Sequence, residues 1–188
     1  MTQRENAPMA EATRLEPLEG RIFGSNGVSL SPALACERVS LRAESKAVAT
    51  VGKALGVTLP SKPGSVNEKN AISALWIGPD EWFITAPNGT NLESKFAKVK
   101  TGLFSAVSID HRNTAIMVSG SNCVNALNSG CPRDLSLDAF PVGTASRTVL
   151  AKAEIILWRI DKNEFRIECW RSFSDYVWKY LVDAARSA

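Results

Sequence analysis

Between Arg147 and Trp170 the chain has little freedom of fold. Arg147 to Ala153, Ile155 to Ile160 and Glu164 to Trp170 are three strand-like runs in succession. They are rich in the β-branched and aromatic residues that suit a pleated, half-buried surface. Asp161-Lys162-Asn163 makes the turn between the last two. A helix must then close the chain. Ser172-Phe173-Ser174-Asp175 has the form of a capping box, with Asp in place of Glu at the fourth position. Val177, Tyr180, Leu181 and Ala184 follow as an apolar stripe.

Upstream, strands and helices alternate. Cys36 to Ala43 shows strand alternation, and Ser45 can cap a helix running to Leu55, stopped by Gly56. A polar loop with Pro60, Pro63 and Gly64 follows. Ala74 to Ile77 and Glu81 to Ala86 form a strand pair turned by Gly78-Pro79-Asp80. Leu92, Phe96 and Val99 mark a second helix, and Ser105 to Ile109 and Thr114 to Val118 are two more strands. Ser121 can cap a short helix carrying Val124 and Leu127. A strand–helix–strand–strand–helix–strand order over 36–109 thus precedes a looser version over 114–185. The expected class is α+β, with mixed or antiparallel sheets, helices and two related halves, rather than a strict βαβ alternation.

Residues 1–33 read differently, as an extended arm ahead of a domain spanning 34–188. Pro17, Gly20, Gly24, Gly27 and Pro32 break any helix or strand period. Two readings stand side by side: a frayed terminus, or a segment ordered by a partner. Leu15, Leu18, Ile22, Phe23, Val28 and Leu30 are many apolar residues for a solvent tail.

Charge and cysteine content exclude several functions. The net charge of +3 is mild and dispersed, which argues against a nucleic-acid footprint. The polar N-terminus lacks the apolar core of a signal peptide, and no apolar run approaches the ~20 residues of a spanning helix. A cytoplasmic location is expected, with Cys36, Cys123, Cys131 and Cys169 reduced. No CxxC pair exists and there is one His, so no metal site is expected.

The chain also lacks GxGxxG, P-loop, HExxH and GxSxG patterns. His111 stands beside Asp110, but neighbours on a strand point to opposite faces, so a structural role at a strand end is expected. Asp80 and Glu81 diverge for the same reason and belong to a turn. No catalytic, cofactor-binding or metal residue is assigned. Large aromatics and arginines, which are enriched at protein interfaces, remain as candidates: Arg147, Trp158, Trp170, Arg171, Phe173 and Trp178. Trp178 lies one position off the stripe of the last helix and is expected at its flank.

An ordered series of short segments resembles a known family. It comprises Ala74-Leu75-Trp76-Ile77-Gly78-Pro79-Asp80-Glu81-Trp82, His111-Arg112-Asn113-Thr114-Ala115, Ser119-Gly120 and Gly130-Cys131-Pro132-Arg133-Asp134-Leu135. It continues through Phe140-Pro141-Val142-Gly143, the Arg147 to Glu154 run and Trp170-Arg171-Ser172-Phe173. The series is similar to the gamma subunit of heterotetrameric sarcosine oxidase, from about residue 35 to the end. That family more often has Asp-Val-Ser-His-Arg where this chain has Ser108-Ile109-Asp110-His111-Arg112, so no specific role is carried onto Ser108 or Asp110.

The resemblance implies a non-catalytic subunit serving assembly and stability, with alpha, beta and delta subunits as partners. The complex oxidises sarcosine to glycine with oxygen and tetrahydrofolate. It yields hydrogen peroxide and methylenetetrahydrofolate or formaldehyde. FAD, FMN, NAD and tetrahydrofolate are expected on the partner subunits. A more distant resemblance, through the strand–Ser119-Gly120–helix segment, is to the folate-binding domain of the glycine-cleavage T-protein, an aminomethyltransferase. It leaves a free-standing folate-binding domain as the alternative, with self-association of the isolated chain as a further expectation.

Overall fold

A computed structural model of the chain describes residues 16–188. Residues 1–15 of the expected arm lie outside the described residues. The elements run β1 (Phe23–Ser25), β2 (Val28–Pro32), β3 (Cys36–Ala43), α1 (Ser45–Leu55), β4 (Val66–Lys69), β5 (Ile72–Gly78), β6 (Glu81–Pro87), α2 (Leu92–Phe96) and β7 (Phe104–Ser108). They continue with β8 (Asn113–Ser119), α3 (Cys123–Asn128), β9 (Ala145–Leu150), β10 (Ala153–Asp161), β11 (Glu164–Trp170), one 3-10 turn (Arg171–Phe173) and α4 (Ser174–Ser187).

The strands form two sheets, ordered β1-β2-β8-β11-β10-β9 and β4-β5-β6-β3-β7, with every neighbouring pair antiparallel. Reading the second sheet backwards exposes the relation between the halves. β7-β3-β6-β5-β4 matches β2-β8-β11-β10-β9, and α1 follows β3 as α3 follows β8. Both central hairpins carry a register shift at the same distance from their turn, between Trp76 and Gly78 and between Arg159 and Asp161. One difference breaks the match. In the first half the strand beyond β3 follows α2, whereas in the second half its place is taken by β2 from the N-terminus.

Period-two alternation along each strand separates two faces. Trp82, Ile84 and Ala86 of β6 join Ala47, Val51 and Leu55 of α1 in one core. Phe165, Ile167 and Cys169 of β11 join Leu127 of α3 and Val177 and Leu181 of α4 in another. The opposite faces meet each other, through Leu75 and Phe83 of one sheet and Ile156 and Trp158 of the other. Helices therefore cover the outer faces and the sheets pack face to face between them.

Several expectations are corrected here. Part of the supposed arm forms β1 and β2, and Leu18, Val28 and Leu30 are buried in the second half's core. Gly20 and Gly27 lie in turns at positive φ, with Asn26-Gly27 joining the two strands, whereas Gly24 lies inside β1. The loop after α1 holds a further strand, β4, whose polar sequence hides it. The expected run from Arg147 to Ala153 crosses a hairpin turn at Ala151-Lys152, with Ala151 at positive φ. The capping box does not form. A 3-10 turn precedes α4, and the Ser174 hydroxyl donates to the Arg171 carbonyl at 2.7 Å. Along α4, Trp178 and Ala185 are buried with Val177 and Leu181, while Tyr180 and Ala184, expected in the stripe, are only partly buried at its edge.

Candidate functional site

Where the two sheets face each other, part of the interface is charged. Arg38 on β3 donates through Nε to Glu168 on β11 at 2.8 Å. Arg166, also on β11, donates to the other carboxylate oxygen of Glu168 at 2.7 and 2.8 Å. Arg38 and Glu168 are buried and Arg166 nearly so. Two cations thus share one anion, in a setting where removing a partner leaves an uncompensated charge. Arg38 also donates to the Cys36 carbonyl, and its backbone N–H donates to the Asp110 carboxylate. Arg166 reaches the Cys36 sulfur at 3.1 Å. Burial pushes the Cys36 thiol up, against the opposing pull of Arg166 and Arg38. The cluster ties the halves together, and single-residue reasoning along the sequence could not join residues 38 and 168.

A second buried cation, Arg159 on β10, lies on the helix-facing side of its sheet. It stacks over Phe165 at 4.5 Å and donates to the Phe140 carbonyl at 2.6 Å, leaving Nε without a hydrogen-bond partner. Desolvation lowers its pKa. These contacts hold the 136–140 turn to the sheet.

At the far end of β11 the character changes. Trp170 and Phe173 are each 43% exposed, with ring centroids 6.3 Å apart. The Arg112 guanidinium lies 5.4 Å over the Trp170 ring. Arg171 turns aside to Glu16 at 3.5 Å. Beside Trp170 a shallow recess is lined by Ser40, Ile77, Arg112, Glu154 and Arg147, the last paired with Glu81 at 2.6 Å. Four of the six interface candidates (Trp170, Arg171, Phe173 and Arg147) therefore lie on or beside one outward surface. The other two do not. Trp158 is buried between the sheets and Trp178 is buried under α4, so neither offers a side chain to a partner. Sequence reading missed Arg112, which only the turn before β8 carries to Trp170.

His111 lies exposed in the turn between β7 and β8, not on a strand. Asp80 meets Arg42 at 3.2 Å on the surface. The larger recesses are built from structural contacts. That of about 600 Å³ beside α2 contains Glu37, whose carboxylate accepts the Asn91 and Leu92 N–H groups at 2.7 Å. Another of about 500 Å³ contains Lys62, Trp76, Arg133 and Asp138. Among the described residues, no three His, Cys, Asp or Glu side chains converge as metal ligands, and no helix is long and apolar enough to cross a membrane.

Comparison with known proteins gives a consistent pattern. Residues 41–187 match the family described as sarcosine oxidase, gamma subunit family. Sarcosine oxidase subunit gamma of Corynebacterium sp. (strain U-96) is 28% identical over 188 residues, covering 97% of this chain and 91% of its own. The subunit from Corynebacterium sp. (strain P-1) is 30% identical over 138 residues, covering 72% and 68%. Among solved structures, a chain of the heterotetrameric sarcosine oxidase from Corynebacterium sp. U-96 matches with a TM-score of 0.84 and 26% identity. The match covers 93% of this chain and 97% of that one. The glycine cleavage system aminomethyltransferase T from Bartonella henselae matches with a TM-score of 0.64 at 12% identity, covering 86% of this chain and 47% of that one; that likeness concerns the fold alone.

Proposed function

This chain belongs to the sarcosine oxidase gamma subunit family, and from that premise we propose that it is the non-catalytic gamma subunit of a heterotetrameric sarcosine oxidase, acting in assembly and stability in the cytoplasm. The observation that carries the proposal is the match along nearly the whole chain to one chain of such a complex. The partners are alpha, beta and delta subunits, which hold FAD, FMN, NAD and tetrahydrofolate. This chain contributes a docking face centred on Trp170 and Phe173, with Arg112, Arg171 and Arg147 around it. Aromatic and arginine side chains on an outward surface carry binding energy when a partner excludes water from them. The free-standing folate-binding reading rests on likeness of fold, which does not carry function.

Co-expression with the other three subunits tests the proposal. One complex containing all four chains is expected. Trp170→Ala with Phe173→Ala is expected to weaken its assembly by roughly 30-fold or more, the effect of losing a central aromatic anchor. Full assembly and sarcosine turnover without this chain would remove its proposed role.

A further inference from the structure

Among the described residues, one of the four sheet edges is bare. β1 is three residues long and contains Gly24, β4 carries Glu68 and Lys69, and β9 carries Arg147. Short length and charge are the usual ways in which a sheet edge is kept from pairing with another chain. β7 has neither. It is Phe-Ser-Ala-Val-Ser, without charge or proline, preceded by Leu103 at 74% exposure and carrying Val107 at 53%.

The repeat shows what such an edge accepts. β7 occupies in its sheet the place that β2 occupies in the other, and β2 is covered by β1. The seat equivalent to β1 beside β7 is vacant among the described residues. The hydrogen-bonding direction follows from neighbouring contacts. Ile109 N–H donates to the Arg38 carbonyl, and Glu44 N–H donates to the Leu103 carbonyl. Odd-numbered residues of this segment therefore face β3, and Phe104, Ala106 and Ser108 direct their N–H and C=O groups away from the sheet. Val107 is paired in register with Ser40, which shares the recess of Trp170 and Arg112. The bare edge is continuous with the proposed docking face.

We infer that β7 is completed by an extended strand of a partner subunit, added antiparallel like every other strand here, while its neighbouring surface meets the Trp170–Phe173 face. The main-chain groups of Phe104, Ala106 and Ser108 form the ladder, and Leu103 and Val107 pack on the incoming side chains. The inference rests on the heterotetramer reading and adds the means by which the partner is held.

Amide hydrogen exchange on the isolated chain and on the four-subunit complex tests it. Amides of Phe104, Ala106 and Ser108 are expected to exchange fast in the isolated chain and at least tenfold more slowly in the complex. Ser108→Pro removes an outward N–H that β3 does not use. It is expected to leave the isolated chain's circular dichroism and melting temperature unchanged and to weaken assembly about tenfold. Val107→Lys, which keeps every N–H, gives a second variant expected to weaken assembly should the proline variant misfold. A complex that forms with those three amides still fast, or whose affinity neither variant changes, overturns the strand addition and leaves the gamma-subunit reading standing. Failure of the four chains to associate overturns both. Slow exchange in a dimer of the isolated chain would assign the edge to a second copy and overturn the partner assignment.

Discussion

The two halves of this molecule share a strand path but put different chemistry at matching seats. Counted from the two hairpin turns, Trp76 opposite Trp82 in the first half corresponds to Arg159 opposite Phe165 in the second. Phe83 and Thr85 correspond to Arg166 and Glu168. An aromatic pair in one half is thus a cation over an aromatic ring in the other. The uncharged inter-sheet positions Phe83 and Thr85 become Arg166 and Glu168, which form a buried charge cluster with Arg38 of the first half. The edge seats also differ: Leu30 sits where the first half has Ala106. The second half is closed at that edge by the N-terminal strands, and the first is open among the described residues. A repeated fold fixes where side chains go, while the choice of residue decides which strand supplies the anion of the shared cluster and which half offers an edge.

The largest expected effect breaks the charge asymmetry. Glu168→Ala leaves Arg38 and Arg166 facing each other without an anion, and is expected to cost about 3–5 kcal/mol in urea unfolding. Thr85→Ala at the matching seat is expected to cost about 1 kcal/mol or less. An equal effect at both would mean the cluster is not what joins the halves.

Edge filling comes next. Leu30→Ala empties a buried seat and is expected to cost about 3 kcal/mol. Ala106→Gly at the matching place, where a single methyl is lost on a half-buried edge strand, is expected to cost about 1 kcal/mol. Gly120→Ala probes the same junction from β8. A Cβ there would clash with the Gly27 carbonyl oxygen, at φ +112. It is expected to cost about 2 kcal/mol and to speed amide exchange in β1 and β2 ahead of the rest of the chain.

Thiol labelling sharpens the contrast without altering the fold. Burial, with Glu168 nearby, pushes the Cys169 thiol up to about 12. Burial likewise raises Cys123, and Cys131 is also buried. Cys36, half-exposed at the sheet interface, is the thiol expected to react with a disulfide reagent in the native chain, and slowly. All four should react after unfolding.

The smallest effect concerns the surface tie between the N-terminal segment and α4. Asp175 meets Lys179 and Arg21, each at 2.7 Å, and these bonds hold its carboxyl below the usual value. A depressed folded pKa gives stabilisation that is present above the unfolded pKa and lost as pH falls through the folded one. Asp175→Asn should therefore lower the melting temperature slightly at pH 7, with the difference fading below about pH 4. A difference that persisted in acid would point to another cause.

Much of the fold was legible where local rules and the final structure agree. β3 and α1 fall where alternation and apolar spacing placed them, and Gly56 ends α1 at positive φ. The central hairpins follow from their turns, and the exposed aromatics at the end of β11 follow from composition. Local rules missed β4, whose Asn67, Glu68 and Lys69 carry no hydrophobic alternation because it is an edge strand. They also missed the N-terminal strands, where Gly24 and Pro32 lie within short strands and Asn26-Gly27 turns between them, so the segment reads like a tail. Trp178 was misplaced because it lies four residues after Ser174 and three before Leu181, which puts it on the buried face and not at its flank.

By itself the sequence determined the α+β class, β3 with α1, the central hairpins and the closing helix, because each of these elements is set by patterns among residues close in the chain. Only the tertiary structure decided that residues 23–32 finish the second half, that Arg38 meets Glu168, and that β7 stands at an edge with no strand beyond it among the described residues. Those outcomes depend on segments far apart in sequence competing for the same sheet edge or the same buried charge. No local pattern encodes the winner of that competition.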